Sequence, residues 1–114
     1  MARLEKSAWE EKLAYYDRLV ESHPDLVRKG KTMPYTSANG HMFSQLNKAG
    51  EIGIRLSKED RERFLEEQQT SLFTTYGTVM KEYVLVPEHL WQDFDLVSSY
   101  MYKGYQYAKS LKPK

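Results

Sequence analysis

The sequence predicts an α+β fold in which helices pack on an antiparallel sheet of about five strands. The apolar residues change from helical spacing to alternation twice along the chain, and glycine-containing turn signals join the alternating runs. The predicted order of elements is α-β-β-β-α-β-β-α. Because the chain has 114 residues and neither repeats nor a linker, we expect a single domain over residues 1 to 114.

A first helix is predicted from about residue 7 to residue 22. Ser7 and Glu10 form a capping-box pattern, in which each side chain takes an unpaired backbone amide at the helix start. Pro24 ends the helix, because the residue before a proline is pushed out of the α region. The apolar face of this helix is Trp9, Leu13, Tyr16 and Val20.

Three antiparallel strands are predicted to follow, up to about residue 56. Asn39-Gly40 is the strongest hairpin signal, because a type I′ turn needs positive φ at both central residues. This turn pairs residue 37 with 42, 35 with 44 and 33 with 46. The expected core face is Met33, Tyr35, Met42 and Leu46, and the more polar face is Ala38, His41, Thr36 and Phe43. In the third strand, Ile52, Ile54 and Leu56 share one face.

The rest of the chain predicts a helix, a second hairpin and a last helix. Ser57 and Asp60 are expected to cap a helix from residue 58 to about 69. Glycine suits the first central position of a type II′ turn, which predicts such a turn at Gly77-Thr78. A short helical turn after Pro87 and a last helix from about residue 93 or 95 complete the fold, and the tail 112–114 is expected to fray.

Composition excludes several classes of protein. The 17 basic and 16 acidic residues give a net charge of +1, so no global field attracts nucleic acid or an anionic membrane. With no cysteine, the chain has no disulfide framework, thiolate nucleophile or cysteine zinc site. We find no apolar core of signal-peptide length and no apolar run near the roughly 18 residues of a membrane helix. These features predict a cytoplasmic protein that does not bind a membrane.

Four strings occur in a characteristic order: Lys31-Thr32-Met33, Asn39 to Phe43, Gly50 to Leu56, and Met80 to Pro87. Together with the element order, they resemble the N-terminal domain of the TfoX/Sxy competence-regulator family over roughly residues 25 to 110. The YjbR-like proteins are more distantly similar. The family's methionine-phenylalanine-glycine-glycine run is replaced here by Met33-Pro34-Tyr35-Thr36, and its full-length members carry a second, helical domain.

The resemblance implies a non-enzymatic regulatory or adaptor module, linked to transcription or DNA-uptake competence, that acts through protein contacts. The residues themselves also argue against an enzyme. His23, His41 and His89 have no metal-ligand spacing, and no serine lies in a nucleophile-elbow string. We therefore predict no catalytic residue, no metal and no cofactor. A small-molecule enzyme, the least favoured alternative, would need convergent polar groups at His41, Arg55 and Glu82.

The predicted interaction surface is the tyrosine-rich side of the last helix. Tyrosines one heptad apart on a surface helix are good anchors for a protein partner or for a second copy of the chain. The basic loop at residues 28 to 31 would help to hold an acidic partner. The residues assigned to partner binding are Tyr100, Tyr102, Tyr107, Arg28, Lys29 and Lys31.

Direct nucleic-acid binding is the alternative function. The basic loop and a second cluster would contact phosphates, while the interleaved tyrosines would stack on bases. The plainer interpretation is a solvated loop and a helix end where lysines complement the helix dipole. The second cluster is Lys103, Lys109, Lys112 and Lys114.

Overall fold

Three α-helices and five strands make up residues 5 to 114, the part of the chain that the computed structural model describes. The helices are α1 (Lys6–Glu21), α2 (Lys58–Glu67) and α3 (Phe94–Ser110), with a 3-10 helix at Glu88–Gln92. The strands are β1 (Tyr35–Ala38), β2 (His41–Leu46), β3 (Ile52–Arg55), β4 (Leu72–Thr75) and β5 (Thr78–Val86). They form one antiparallel sheet in the order β1-β2-β3-β5-β4. The predicted α+β class and element order are confirmed.

The core lies between the helices and one face of the sheet. On β3, Ile52 and Ile54 are fully buried, as the alternation predicts. The last helix approaches the sheet closely at Gly104, where a Cβ atom would lie 2.9 Å from the carbonyl oxygen of Arg55. A residue without a side chain therefore sets the distance between α3 and the sheet. Among residues 5 to 114, no helix is both long enough and apolar enough to span a bilayer.

The predicted start is confirmed for two of the three α-helices, α2 and α3. The Ser57 hydroxyl accepts a hydrogen bond from the Asp60 amide (3.3 Å) at the start of α2, and Asp93 caps α3 in the same way. The capping box predicted for α1 is wrong, because Ser7 lies inside the first turn. The residue at the N-cap is Glu5, whose side chain accepts no capping hydrogen bond. Packing of the buried face of α1 takes the place of the cap.

The first hairpin has the predicted turn. Asn39 and Gly40 have φ angles of 54° and 80°, which is the type I′ geometry, and Ser37 pairs with Met42. These residues place the chain reversal where the sequence predicts it.

Beyond that first pair, the register of the hairpin differs from the prediction. Phe43 is an extra residue in β2, so Tyr35 pairs with Gln45 rather than with Ser44. Such a bulge turns two successive side chains toward the same face, and Phe43 is fully buried in the core instead of lying on the polar face. Of the four residues predicted to form the core face of the hairpin, Leu46 alone is fully buried.

The second hairpin turns one residue earlier than predicted. Thr75 pairs with Thr78, so the central residues are Tyr76 and Gly77, and both have positive φ (51° and 73°). The turn is therefore type I′ and not type II′. The sequence pattern misses it because tyrosine rarely adopts the left-handed region. Tyr76 remains 67% exposed.

This hairpin folds across the face of the sheet opposite the helices. Phe73 is fully buried there and lies directly over Gly53, where a Cβ atom would be 2.3 Å from the phenylalanine Cγ. The Asn47 side chain donates a hydrogen bond to the carbonyl oxygen of Thr74 (3.0 Å). Gly53 thus leaves the space in which an aromatic ring covers the second face of the sheet.

We expect Gly53→Ala to destabilise the fold by about 1–3 kcal/mol, because the new methyl group overlaps the Phe73 ring. Urea unfolding measures this free energy. In a Phe73→Leu background the same substitution should cost less, since the smaller side chain leaves room. Equal costs in both backgrounds would show that Phe73 does not constrain Gly53.

Candidate nucleic-acid interface

The near-zero net charge conceals a strong segregation of charge along the chain. All 16 Asp and Glu residues lie within residues 1–25 and 51–95. Residues 26–50 and 96–114 hold eight Lys and Arg residues and no acidic residue. Whether this matters depends on whether the fold brings the two acid-free segments together.

The C-terminal tail joins the two segments by packing on the β1–β2 turn. The Asn39 side-chain amide donates to the carbonyl oxygens of Lys109 (2.8 Å) and Leu111 (3.4 Å). The Lys114 amide donates to the Asn39 carbonyl (3.0 Å), and the imidazole Nε2 of His41 donates to the Lys112 carbonyl (2.8 Å). The prediction of a frayed tail is therefore wrong. A turn residue supplies the hydrogen bonds that hold the tail.

The basic loop lies along the edge of β1, and its Lys29 side chain extends toward the same turn. Lys29 and Tyr35 exchange both backbone hydrogen bonds (2.8 and 3.0 Å). The Lys29 ammonium lies 3.2 Å from the Ser37 hydroxyl, and Ser37 is two residues, or about 7 Å of strand, from Asn39. Lys29 and the lysines of the tail, about eighty residues apart in the sequence, therefore lie at one end of the sheet.

We call this region the basic end and define it as Lys29, Lys109, Lys112 and Lys114. Lys31 lies farther from the β1–β2 turn, because the antiparallel Lys29–Tyr35 bridge leads the chain away from that turn. All four side chains of the basic end are exposed, and none forms an ion pair with any residue between 5 and 114. Arg28 differs, because its guanidinium is paired with the Asp17 carboxylate (2.7 Å). No carboxylate of the described residues therefore neutralises these four ammonium groups at ion-pair distance, and salt screens their field over roughly a Debye length, about 8 Å in physiological salt.

The three tyrosines assigned to partner binding do not form one surface. Tyr100 is only 8% exposed and packs edge-on against the buried Phe64 ring (4.7 Å), so the expected exposed tyrosine pair is absent. Burial raises the pKa of the Tyr100 hydroxyl. Tyr107 donates a hydrogen bond to Glu82 (3.2 Å), and Tyr102 lies against His23. The sheet and α2 cover the side of α3 that helical spacing alone leaves open.

Of the three polar residues that a small-molecule enzyme would need, Arg55 and Glu82 contact each other and His41 does not join them. Arg55 donates to the Glu82 carboxylate through Nε (2.8 Å) and again through a terminal nitrogen, while His41 is engaged with the tail. Partial burial raises the pKa of Glu82, but the bonds and charge of Arg55 and the bond from Tyr107 lower it by more, so the net direction is down. Across residues 5 to 114, no three His, Asp or Glu side chains are grouped to hold a metal ion.

The structure has a second surface, beside Trp91, that no sequence pattern predicts. The Tyr15 and Trp91 rings stack at 4.5 Å, with the Lys12 ammonium 4.7 Å from the Trp91 ring and the Arg18 guanidinium 5.2 Å from the Tyr15 ring. Burial raises the pKa of the Tyr15 hydroxyl to about 12. Both the Tyr15 hydroxyl and the Trp91 N–H are buried without a hydrogen-bond partner in the described part of the chain. Two shallow concavities of about 250 and 310 Å³ flank Trp91.

A scan against protein-family models finds no match for the chain, and a search of the curated proteins finds none either. The resemblance to the TfoX N-terminal domain therefore stays a prediction that rests on the strings quoted above.

The Arg55–Glu82 pair predicts a pH-dependent contribution to stability. Because the folded-state pKa of Glu82 is lowered, the pair stabilises the fold above the ordinary glutamate pKa, about 4.3, and this contribution is lost as the pH falls through the folded-state value. The difference in unfolding free energy between wild type and Glu82→Gln should therefore shrink between about pH 7 and pH 3. Urea unfolding at several pH values measures it.

Glu62→Gln is the control, because Glu62 is exposed and has no ion-pair partner among residues 5 to 114. Its effect should be small at every pH. A Glu82→Gln effect that stays constant with pH would contradict the assigned role of the pair.

Proposed function

We propose that the protein is a non-enzymatic, nucleic-acid-binding regulatory domain that contacts phosphate groups through the basic end. The observation that carries this proposal is the convergence of four exposed, unpaired lysines from two acid-free segments at the β1–β2 turn. The sequence alone favours protein contacts, because the net charge is +1 and because the family resemblance and the tyrosine-rich last helix point to a protein partner. Local charge, rather than net charge, governs binding to a polyanion at short range.

The chemistry of the basic end favours a phosphate polymer over a protein partner. Lysine is depleted at protein–protein interfaces, where aromatic residues, methionine and arginine are enriched. Phosphate contacts come from lysine and arginine together with hydroxyl, amide and backbone N–H groups. Here Lys29 lies beside the Ser37 hydroxyl, and the lysines of the tail lie beside Asn39.

Two parts of this proposal come from the sequence alone. The first is that the regulation concerns transcription or DNA-uptake competence, as the resemblance to the TfoX N-terminal domain implies. The second is a cytoplasmic location, which the absence of cysteine supports.

We expect a labelled DNA to bind with an affinity that falls steeply as salt increases. If the four lysines of the basic end each contact a phosphate, the slope of log K against log salt on duplex DNA is about −3 to −4. The double reversal Lys29→Glu with Lys112→Glu takes one lysine from each cluster and should reduce the slope by about 2, in addition to lowering affinity. Fluorescence anisotropy over a salt series measures both quantities.

The matched control is Lys6→Glu with Lys58→Glu, which changes the net charge equally. Both lysines are exposed and lie in the segments that contain acidic residues. An equal loss of affinity in the two double variants would show that binding follows net charge and not the basic end. Absence of salt-dependent binding to any nucleic acid would overturn the proposal.

Protein contact through the surface beside Trp91 is the second candidate function. Leaving a buried donor without an acceptor costs about 1–3 kcal/mol, and two such groups occur in one stacked pair beside two concavities. An acceptor from a second copy of the chain would satisfy them once a small shift of the stacked pair exposes the two donors. This candidate keeps the expectation of self-association but moves it from the tyrosines of α3 to the surface beside Trp91.

For this candidate, we expect the sedimentation coefficient of the wild type to rise with protein concentration. Trp91→Phe keeps an aromatic ring but removes the N–H donor and part of the indole surface, so it should weaken the association by up to about tenfold. Trp9→Phe is the control, since the Trp9 N–H already bonds the Asn47 carbonyl within the chain (2.9 Å). A protein that stays monomeric at all concentrations, or equal effects of the two substitutions, would exclude this candidate.

A further inference from the structure

We infer that the nucleic acid held at the basic end is single-stranded and that its bases stack on Tyr105 and Tyr102. The inference rests on the proposed function and names the form of nucleic acid. Its basis is an aromatic stripe on α3 that runs into the basic end.

The stripe consists of Tyr102, Tyr105 and Lys109, which follow one another at spacings of three and four residues and so share one side of the helix. The two tyrosine rings are 5.7 Å apart, and the Lys109 ammonium lies 5.4 Å from the Tyr105 ring. The Lys109 carbonyl is one of the two that Asn39 holds. The rings are therefore continuous with the lysines of the basic end.

Both rings are anchored from behind and open in part to solvent. Tyr105 packs edge-on against the fully buried Phe43 (5.8 Å), and Tyr102 lies against His23 (4.9 Å). Each tyrosine is half-buried, in contrast to Tyr100 on the neighbouring side of the helix. A ring fixed in this way loses little conformational freedom when a base stacks on it.

This combination is typical of proteins that bind single strands, in which a positive surface follows the backbone and aromatic rings receive successive bases. A duplex keeps its base faces stacked inside the helix, so it would use the lysines but not the rings. Beyond their packing within the protein, the rings would therefore contribute to binding only if the bases are unpaired.

The test compares an oligothymidylate of about 15 nucleotides with a duplex DNA of the same length. We expect tighter binding of the oligothymidylate. Tyr105→Leu should lower its affinity by about 5- to 100-fold, the range for the loss of one stacked base, without changing the affinity for the duplex. Tyr105→Phe keeps the ring and should bind as the wild type does, which would show that the ring and not the hydroxyl is needed, while an unchanged duplex affinity of Tyr105→Leu guards against a simple loss of packing on Phe43.

Tyr76→Leu is the control, because Tyr76 is exposed at the β4–β5 turn and lies outside the stripe. Equal or tighter binding of the duplex, or an oligothymidylate affinity that Tyr105→Leu does not change, would overturn this inference and leave the proposed function in place. Failure of both probes to bind in a salt-dependent manner would instead overturn the proposed function.

Discussion

The left-handed backbone of Asn39 and Gly40 is the constraint on which the basic end depends. Two consecutive residues at positive φ reverse the chain in the tightest way that suits the twist of the flanking strands. That reversal leaves the Asn39 side chain and carbonyl free to hold the C-terminal tail, and a Cβ atom at Gly40 would lie 2.7 Å from the Lys114 Cβ. A turn that most residue pairs cannot form thus joins the first hairpin to the C-terminal tail.

Local patterns predicted most of the fold, because most elements here are specified by nearby residues. The alternation in β3, the Ser57 cap and the Asn39-Gly40 turn each depend on a few adjacent side chains, and all three are confirmed. The predictions that are wrong concern features that depend on contacts between distant parts of the chain. The bulge at Phe43 serves the packing against Tyr105, more than sixty residues away, and no short-range rule anticipates it.

For the same reason, the sequence predicts the two parts of the candidate site but not that they lie together. The basic loop and the terminal lysines are each apparent, but their meeting depends on hydrogen bonds between Asn39, His41 and the tail. A net charge of +1 is an average that hides this arrangement, whereas the positions of the acidic residues along the chain would have revealed it. No sequence pattern predicts the surface beside Trp91, because its two unpaired donors belong to Tyr15 and Trp91, which are distant in the chain and stack only in the folded protein.

The segregation of charge also bears on how a polyanion would sit on the molecule. Outside the acid-free segments the chain carries nine basic and sixteen acidic residues, so the remaining surface has a net negative charge. If the proposed function holds, a phosphate backbone would be attracted to the basic end and repelled by the rest of the surface, which would orient it before any contact forms. The acidic surface would also limit the bound length, because a longer strand would have to cross it. The half-buried Tyr102 and Tyr105 would extend the binding region along α3, and there bases as well as phosphates would make contacts.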